Sequence, residues 1–333
     1  MRHLQHIQGI ELFKVLGDTR RLAILQQLMA QSATLSQLGQ VMGDHPAKVR
    51  HHLLQLEQVG LVELVETQQV RGFVEKYYQA SARAFLLNEI ILPDSAKPFT
   101  AVIIGSHDMA LELLCEQVST PSRFEEMDLV CLPVGSLDGL IALRQGVAHL
   151  AGCHLLDPES GEYNLPYARH FFPDEQVSLI TLAHREQGLM LAPGNPQAIS
   201  GLPDLAHPQI RYVNRNKGSG TRIWLDNQLE QLGMSTDQIS GYELEVRTHT
   251  QVAETIARGQ AGAGLGLRAA AQRYDLDFIP LFQERFDLVT REAQFRNPQL
   301  VPLLEHLQSE DFRSSVAGLA GYDATRTGTV VRT

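Results

Sequence analysis

The chain has 333 residues, 44% apolar and 20% charged, which allows two or three domains with real cores and excludes a disordered chain. No apolar run reaches the roughly 18–20 residues of a membrane span, and MRHLQHIQGIEL lacks a signal peptide's apolar stretch and cleavage site, so a cytoplasmic protein away from membranes is expected. The formal net charge of −10 argues against a nucleic-acid partner only until it is mapped: residues 1–90 carry nine Lys/Arg and eight Asp/Glu, the remainder 19 and 30.

In chain order, Asp18–Thr19 predicts a helix start, and Leu22, Leu25 and Leu28 follow at helical spacing. After the polar break at 31–34, residues 35–42 read as a short helix, Gly43–Asp44–His45 as a turn, and Pro46 as the first residue of the next helix. There Val49, Leu53 and Leu56 share an inward face. At about 100° per residue, Ala47, His51 and Gln55 point the other way, flanked by Lys48 and Arg50. A small residue, a hydrogen-bonding ring and two cations suit a helix lying in the major groove of double-stranded DNA. Gly60 is a plausible helix stop. LVELVETQQVRGFVEKYYQA then reads as two strands around a turn near Arg71–Gly72, with Arg71 near phosphates or the minor groove.

LFKVLGDTRRLAILQQL, the apolar spacing of VRHHLLQLEQVGLV and the following hairpin resemble the ArsR family of winged helix-turn-helix repressors over about residues 8–85. The resemblance implies a homodimer on palindromic DNA. Metal-sensing members carry Cys-x-Cys in the first helix of the helix-turn-helix. This chain has LSQLGQVM there, so no metal site is expected. Cys115, Cys131 and Cys153 form no CxxC pair and read as buried small side chains, with no disulfide framework indicated.

The winged domain is expected to span residues 1–88 and a linker 89–98, where prolines and small residues interrupt the pattern. From residue 99 to 333, strands alternate with helices, predicting an α/β domain with a parallel sheet. AVIIGSHDMALELLCEQV gives a strand, a turn at Gly105–Ser106 and a helix; DLVCLPVGSLDGL repeats the plan with a turn at Gly135–Ser136. In IRYVNRNKGSGTRIWLDNQLEQLG the turn is GSGT, where glycine, hydroxyls and a helix start make an anion cradle. Such a loop is also an ordinary helix cap; its recurrence in three units favours a site at the strands' carboxyl ends. Residues 250–259 then read as a helix, 261–267 as a strand, FIPLFQERFDLVTRE as a return stretch, and 298–319 as a final helix.

GSHDMALELL, GCHLLDPESGEYN, YVNRNKGSGTRIWLD and GQAGAGLGLRAAAQRYDLDFIPL resemble the periplasmic-binding-protein-like domain of the molybdate/tungstate-binding type, over about residues 99–320. This implies two α/β lobes, the second at about 188–280, joined by crossovers near VSLITLAHREQGLMLAPG and FIPLFQERFDL, with the ligand between them. The ligand residues carried over are Ser106, His107, Ser136, Ser219, Gly220, Thr221, Thr248 and His249. Asp108 and Asp138 would repel a dianion if they faced it; otherwise they suit helix starts. Arg222 adds charge or points away. Residues 157–162 read as a surface loop, and nothing orients Cys153, His154 and Asp157 as a nucleophilic triad. The expectation is therefore a non-enzymatic, one-component transcriptional regulator with molybdate or tungstate as effector and no cofactor. Alternatives are the same architecture sensing a small organic ligand, such as a molybdenum-cofactor precursor, or an enzymatic carboxy-terminal domain.

Overall fold

The computed structural model describes residues 5–7, 9–70, 73–87, 90–92, 97–119 and 124–333. It divides into two units, Met1–Leu92 and Pro93–Thr333. Arg71, and residues 89 and 93–96 of the expected linker, lie outside the described residues.

The first unit begins with β1 (Gln5–Ile7) and α1 (Ile10–Leu16). α2 (Thr19–Ala30) starts where Asp18 accepts hydrogen bonds from the N–H groups of Arg20 (2.8 Å) and Arg21 (3.3 Å), satisfying two free donors of the first turn. β2 (Ala33–Thr34) leads into α3 (Leu35–Met42), where Thr34 and Gln37 cap each other. Gly43 turns the chain at φ 64°, and Pro46 opens α4 (Pro46–Gln58). The hairpin of β3 (Val62–Val70) and β4 (Phe73–Ala80) completes a three-stranded sheet in the order β2-β4-β3, while β5 (Phe85–Leu87) pairs with β1.

Ile24, Leu25, Leu28, Leu38, Val49, Leu53 and Leu56 share one core. Leu22, expected on the inward stripe of α2, is instead 42% exposed. Ile24 replaces it, because at about 100° per residue Leu22 lies well off the mean direction of Ile24, Leu25 and Leu28.

In the second unit, β6 (Phe99–Gly105), α5 (Met109–Ser119), β7 (Met127–Pro133), α6 (Ser136–Arg144), β8 (Leu150–Cys153) and α7 (Leu165–Phe171) build the first lobe. β9 (Val177–Leu191) leaves it. The second lobe holds β10 (Tyr212–Arg215), α8 (Gly220–Gln231), β11 (Glu245–Val246), α9 (His249–Ala257), β12 (Ala263–Leu267) and α10 (Arg268–Arg273). β13 (Asp277–Arg291) returns, followed by α11 (Glu292–Phe295), α12 (Val301–Leu307), α13 (Glu310–Ala317), β14 (Tyr322–Asp323) and β15 (Val330–Arg332).

The lobes have separate cores, one around Ile103, Leu114, Leu150 and Phe312, the other around Leu189, Tyr212, Leu225 and Leu265. One ten-stranded sheet nevertheless runs through both, in the order β11-β10-β12-β9-β13-β8-β6-β7, with β14 and β15 on β9. The expected parallel pairing holds inside each lobe. The whole sheet is mixed, because β9 and β13 cross between lobes in opposite directions and pair antiparallel. The last helix expected over 298–319 is broken into α12 and α13. Ser309 interrupts it, accepting from the Phe312 N–H at 3.2 Å and donating to the His306 carbonyl at 2.7 Å.

Candidate functional site

The carboxyl ends of β6, β7 and β10 bring their turns to the seam between lobes. Ser106, just past β6, is buried with its Oγ 3.0 Å from that of Ser136 at the start of α6. Ser136 Oγ also accepts from the His154 N–H at 3.2 Å. From the second lobe, Thr221 Oγ1 accepts from Gln187 Nε2 at 3.0 Å. Gly220 lies so close to His154 that a Cβ there would stand 2.6 Å from the ring Nδ1; no other residue fits without displacing the histidine. A Cβ on Gly135 would come within 3.1 Å of the Gly218 backbone, and Asn216 Nδ2 donates to the Val134 carbonyl. The GSGT loop is thus packed directly on the first lobe.

His107 spans the seam. Its Nδ1 accepts from the His249 N–H at 3.3 Å and its Nε2 is 2.7 Å from Glu112, which fixes the proton on Nε2. Thr250 and Arg273 of the second lobe also donate to Glu112, at 3.3 and 2.7 Å. Burial alone would raise the Glu112 pKa; the bonds from His107 and Arg273 override it and hold it at about 2. Ser106, His107, Ser136, Gly220, Thr221 and His249 therefore meet in one place. Ser219 and Thr248 sit at the same seam, their oxygens accepting from the N–H groups of Arg222 (3.3 Å) and Gln251 (3.0 Å) as helix caps.

Where β9 and β13 pass from lobe to lobe, they carry a buried polar cluster that periodicity alone did not reveal. Arg185 Nε donates to Glu284 at 2.7 Å, Nη1 contacts Asp108, and the guanidinium lies 4.4 Å from the Phe286 ring centroid. Asp108 also caps α5 through Ala110 N–H (2.7 Å) and accepts from Tyr322 Oη at 2.8 Å. The carboxylate that looked repulsive toward an anion is answered by Arg185. Glu284 further accepts from Gln187 and from His154 Nδ1, the latter at 2.7 Å. Burial would raise its pKa, but the charge of Arg185 and the hydrogen bonds from His154 and Gln187 hold it at about 2.

Arg215, at the end of β10, differs. It is 1% exposed, and Nη2 donates to the Arg247 carbonyl at 2.8 Å, while Nε and Nη1 have no protein partner. Burial, reinforced by the charge of Arg185, lowers its pKa to about 9. Both ring nitrogens of His249 and the Nε2 of His154 also lack protein partners. Burial drives both imidazoles toward the neutral form, and Arg215 pushes each further the same way. Arg215 is not among the expected ligand residues, although its place at a strand's carboxyl end, just before GSGT, is a signal for it.

Arg222 points away from the seam, buried between Asp226 (3.1 Å) and Glu245 (3.3 Å) and over the Tyr242 ring. Asp138 is exposed at the start of α6. Cys153 is buried, its thiol pushed well above the usual range by burial, and its Sγ faces the carbonyls of Ser136 and Ala151. Asp157 is occupied by Ser160 in a surface turn. Beside the seam, a cavity of about 420 Å³ is lined by Ser106, His107, Leu111, Cys115, Cys131 and Thr248 among others.

On the first unit, Ala47, Lys48, Arg50 and His51 of α4 are exposed, and Lys48 lies 3.5 Å from Asp44. Gln55 departs from the expected outward face: it is half-buried, its side-chain oxygen accepting from Arg21 Nη1. The cause is α2, which packs across the carboxyl-terminal half of α4.

The chain matches a helix-turn-helix domain over residues 16–65 and the PBP superfamily domain over residues 120–308. It is 37% identical over 231 residues to the uncharacterized protein YvgK of Bacillus subtilis, covering 69% of this chain and 73% of that one. Among solved structures, it is similar to an ABC-type phosphate transport receptor from Vibrio cholerae (TM-score 0.44, 18% identity, 67% of this chain and 98% of that one). It is also similar to the tungstate ABC transporter from Geobacter sulfurreducens (TM-score 0.46, 12% identity, 64% and 95%). With over half its length matched and a helix-turn-helix domain ahead of that match, the chain belongs to the PBP superfamily.

Proposed function

We propose that this chain is a ligand-responsive, one-component transcriptional regulator of the cytoplasm, an ArsR-like winged helix-turn-helix governed by a binding cleft and not an enzyme. α4 and the β3–β4 hairpin read operator DNA as a homodimer, and an oxyanion, molybdate or tungstate foremost, is held between the lobes.

The observation that carries this reading is Arg215. A buried guanidinium with two unshared N–H-bearing nitrogens is costly unless an anion joins it. The hydroxyls of Ser106, Ser136 and Thr221 and the ring of His249 supply neutral donors around the same seam. Binding that favours one lobe arrangement changes operator affinity by the ratio of its affinities for the two states.

Two observations favour a second reading, in which the effector is a small organic acid. The adjoining cavity of about 420 Å³ exceeds what a lone tetrahedral ion needs. His154 Nε2, with the ring proton on Nδ1 toward Glu284, offers an acceptor that suits a ligand hydroxyl.

Calorimetric titration with molybdate, tungstate, sulfate and phosphate separates the readings. Heat with molybdate or tungstate, abolished in Arg215→Gln, supports the first. Silence from all four ions, with an organic acid found by native mass spectrometry of the purified protein, supports the second. Unchanged operator retention with and without the bound ligand would remove the regulatory role.

A further inference from the structure

Cys115 lies on α5 and Cys131 on the edge strand β7, and their Sγ atoms are 2.7 Å apart. That separation is within about 0.7 Å of a disulfide bond length. Both side chains are only partly buried, and both line the cavity of about 420 Å³ beside the cleft, so small solutes reach them. Cys153, the remaining cysteine, is fully buried in a different core cluster and serves as an internal control.

We propose that Cys115 and Cys131 form a reversible dithiol–disulfide pair, a modification site that cross-links α5 to β7 on the cavity wall. The oxidant is a peroxide or a small disulfide. With hydrogen peroxide, the Cys115 thiolate attacks one oxygen and hydroxide leaves, giving a sulfenic acid. The Cys131 sulfur then attacks the sulfenic sulfur, its proton joins the departing hydroxide as water, and the S–S bond forms. Two thiols are oxidised and one peroxide is reduced to two waters.

The order of attack follows from the local chemistry. The Cys131 thiol donates toward Cys115, which lowers the Cys115 pKa against the opposing effect of burial, whereas Cys131 is raised. Oxidation is felt at the cleft because α5 bears Glu112, which receives His107, Thr250 and Arg273 at the seam. Tying α5 to β7 fixes the element that presents this clasp.

The test uses the full chain, reduced, desalted and exposed to limiting hydrogen peroxide. The expected result is loss of two hydrogen masses in the intact protein and a non-reducing peptide map joining Cys115 to Cys131. The melting temperature should rise by several degrees, since the bond removes chain entropy from the unfolded state between Cys115 and Cys131, and dithiothreitol should reverse both changes. Cys115→Ser and Cys131→Ser should each lose the mass change. Both thiols still alkylated after oxidation, oxygen-adduct masses without a cross-link, or linkage between two chains would overturn the assignment. The wild-type mass measurement stands even if either serine variant folds poorly.

Discussion

Two arginines of the second unit are equally deep, and their surroundings are opposite. Arg185 lies between Asp108 and Glu284, and its pKa is raised because those charges outweigh burial. Arg215 has no carboxylate partner among the described residues, and its pKa is lowered to about 9 because burial and Arg185 act together. A paired buried cation fastens a fold; an unpaired one suits a site whose counter-ion arrives from solution. Arg185 joins the crossover strands to the start of α5, whereas Arg215 faces the seam from the end of a strand.

The comparison breaks first at Arg185. Arg185→Ala leaves Glu284 and Asp108 buried without their cation, and the expected loss of stability is about 3–5 kcal/mol, read by urea denaturation. Arg215→Gln should be near neutral in the same assay. Its cost should appear in effector affinity instead, about 100-fold if two charge-assisted hydrogen bonds of about 1.5 kcal/mol each are removed. Equal destabilisation by the two substitutions would make Arg215 a structural group.

pH sharpens the same contrast. In the free protein burial and the charge of Arg185 lower the Arg215 pKa to about 9, whereas Asp108 and Glu284 raise that of Arg185. A bound anion favours the charged form of Arg215. Effector affinity should therefore be insensitive to this group below pH 9 and fall by up to about tenfold per pH unit above it. A flat titration profile to pH 10, with the fold intact, would show that Arg215 keeps its proton over that range. Stability has its own acid limb. His107, His154 and His249 have folded pKa values lowered chiefly by burial, so the unfolded chain binds more protons as pH falls. Their contribution is present above an unfolded histidine pKa of about 6.5 and is lost below it. Glu112 and Glu284, held at about 2, add a further loss between their ordinary value of 4.5 and 2. The denaturation midpoint should drop from pH 7 to pH 5 and more steeply beyond.

These residues also mark what was legible in the sequence. Turn chemistry announced Asp18, Pro46 and the Ser106, Ser136 and GSGT turns, because capping and tight turns are local and each residue type has few alternatives. The alternation of strands and helices announced the α/β class and its parallel pairing, while the division into two lobes came only with the resemblance. The crossover cluster stayed hidden, since Arg185, Gln187 and Glu284 look like surface residues in any window, and only pairing of β9 with β13 brings their charges together. The antiparallel pairing of those strands and the capture of Gln55 by Arg21 likewise depend on neighbours distant in sequence, whereas the break at Ser309 and the outward turn of Leu22 follow from local capping and helical angle. The Cys115–Cys131 pair shares that cause: α5 and β7 must first pack before the thiols meet.

The exposed cations of α4 extend the comparison to a third environment, with the smallest expected effect on the fold. Lys48 and Arg50 pay no burial cost, so Lys48→Ala with Arg50→Ala should leave the melting curve and the effector titration near wild type. On the proposed reading their influence on DNA would pass through phosphate charge, and removing two contacts would release about two fewer counterions. The slope of log affinity against log salt should become shallower by nearly 2, with affinity lost about equally on operator and unrelated DNA. His51→Ala, on the same exposed face without a fixed charge, should leave the salt slope unchanged and weaken the operator more than unrelated DNA. If the double variant keeps the wild-type salt slope, α4 is not lying along the phosphates, and the basic residues of the wing become the place to look.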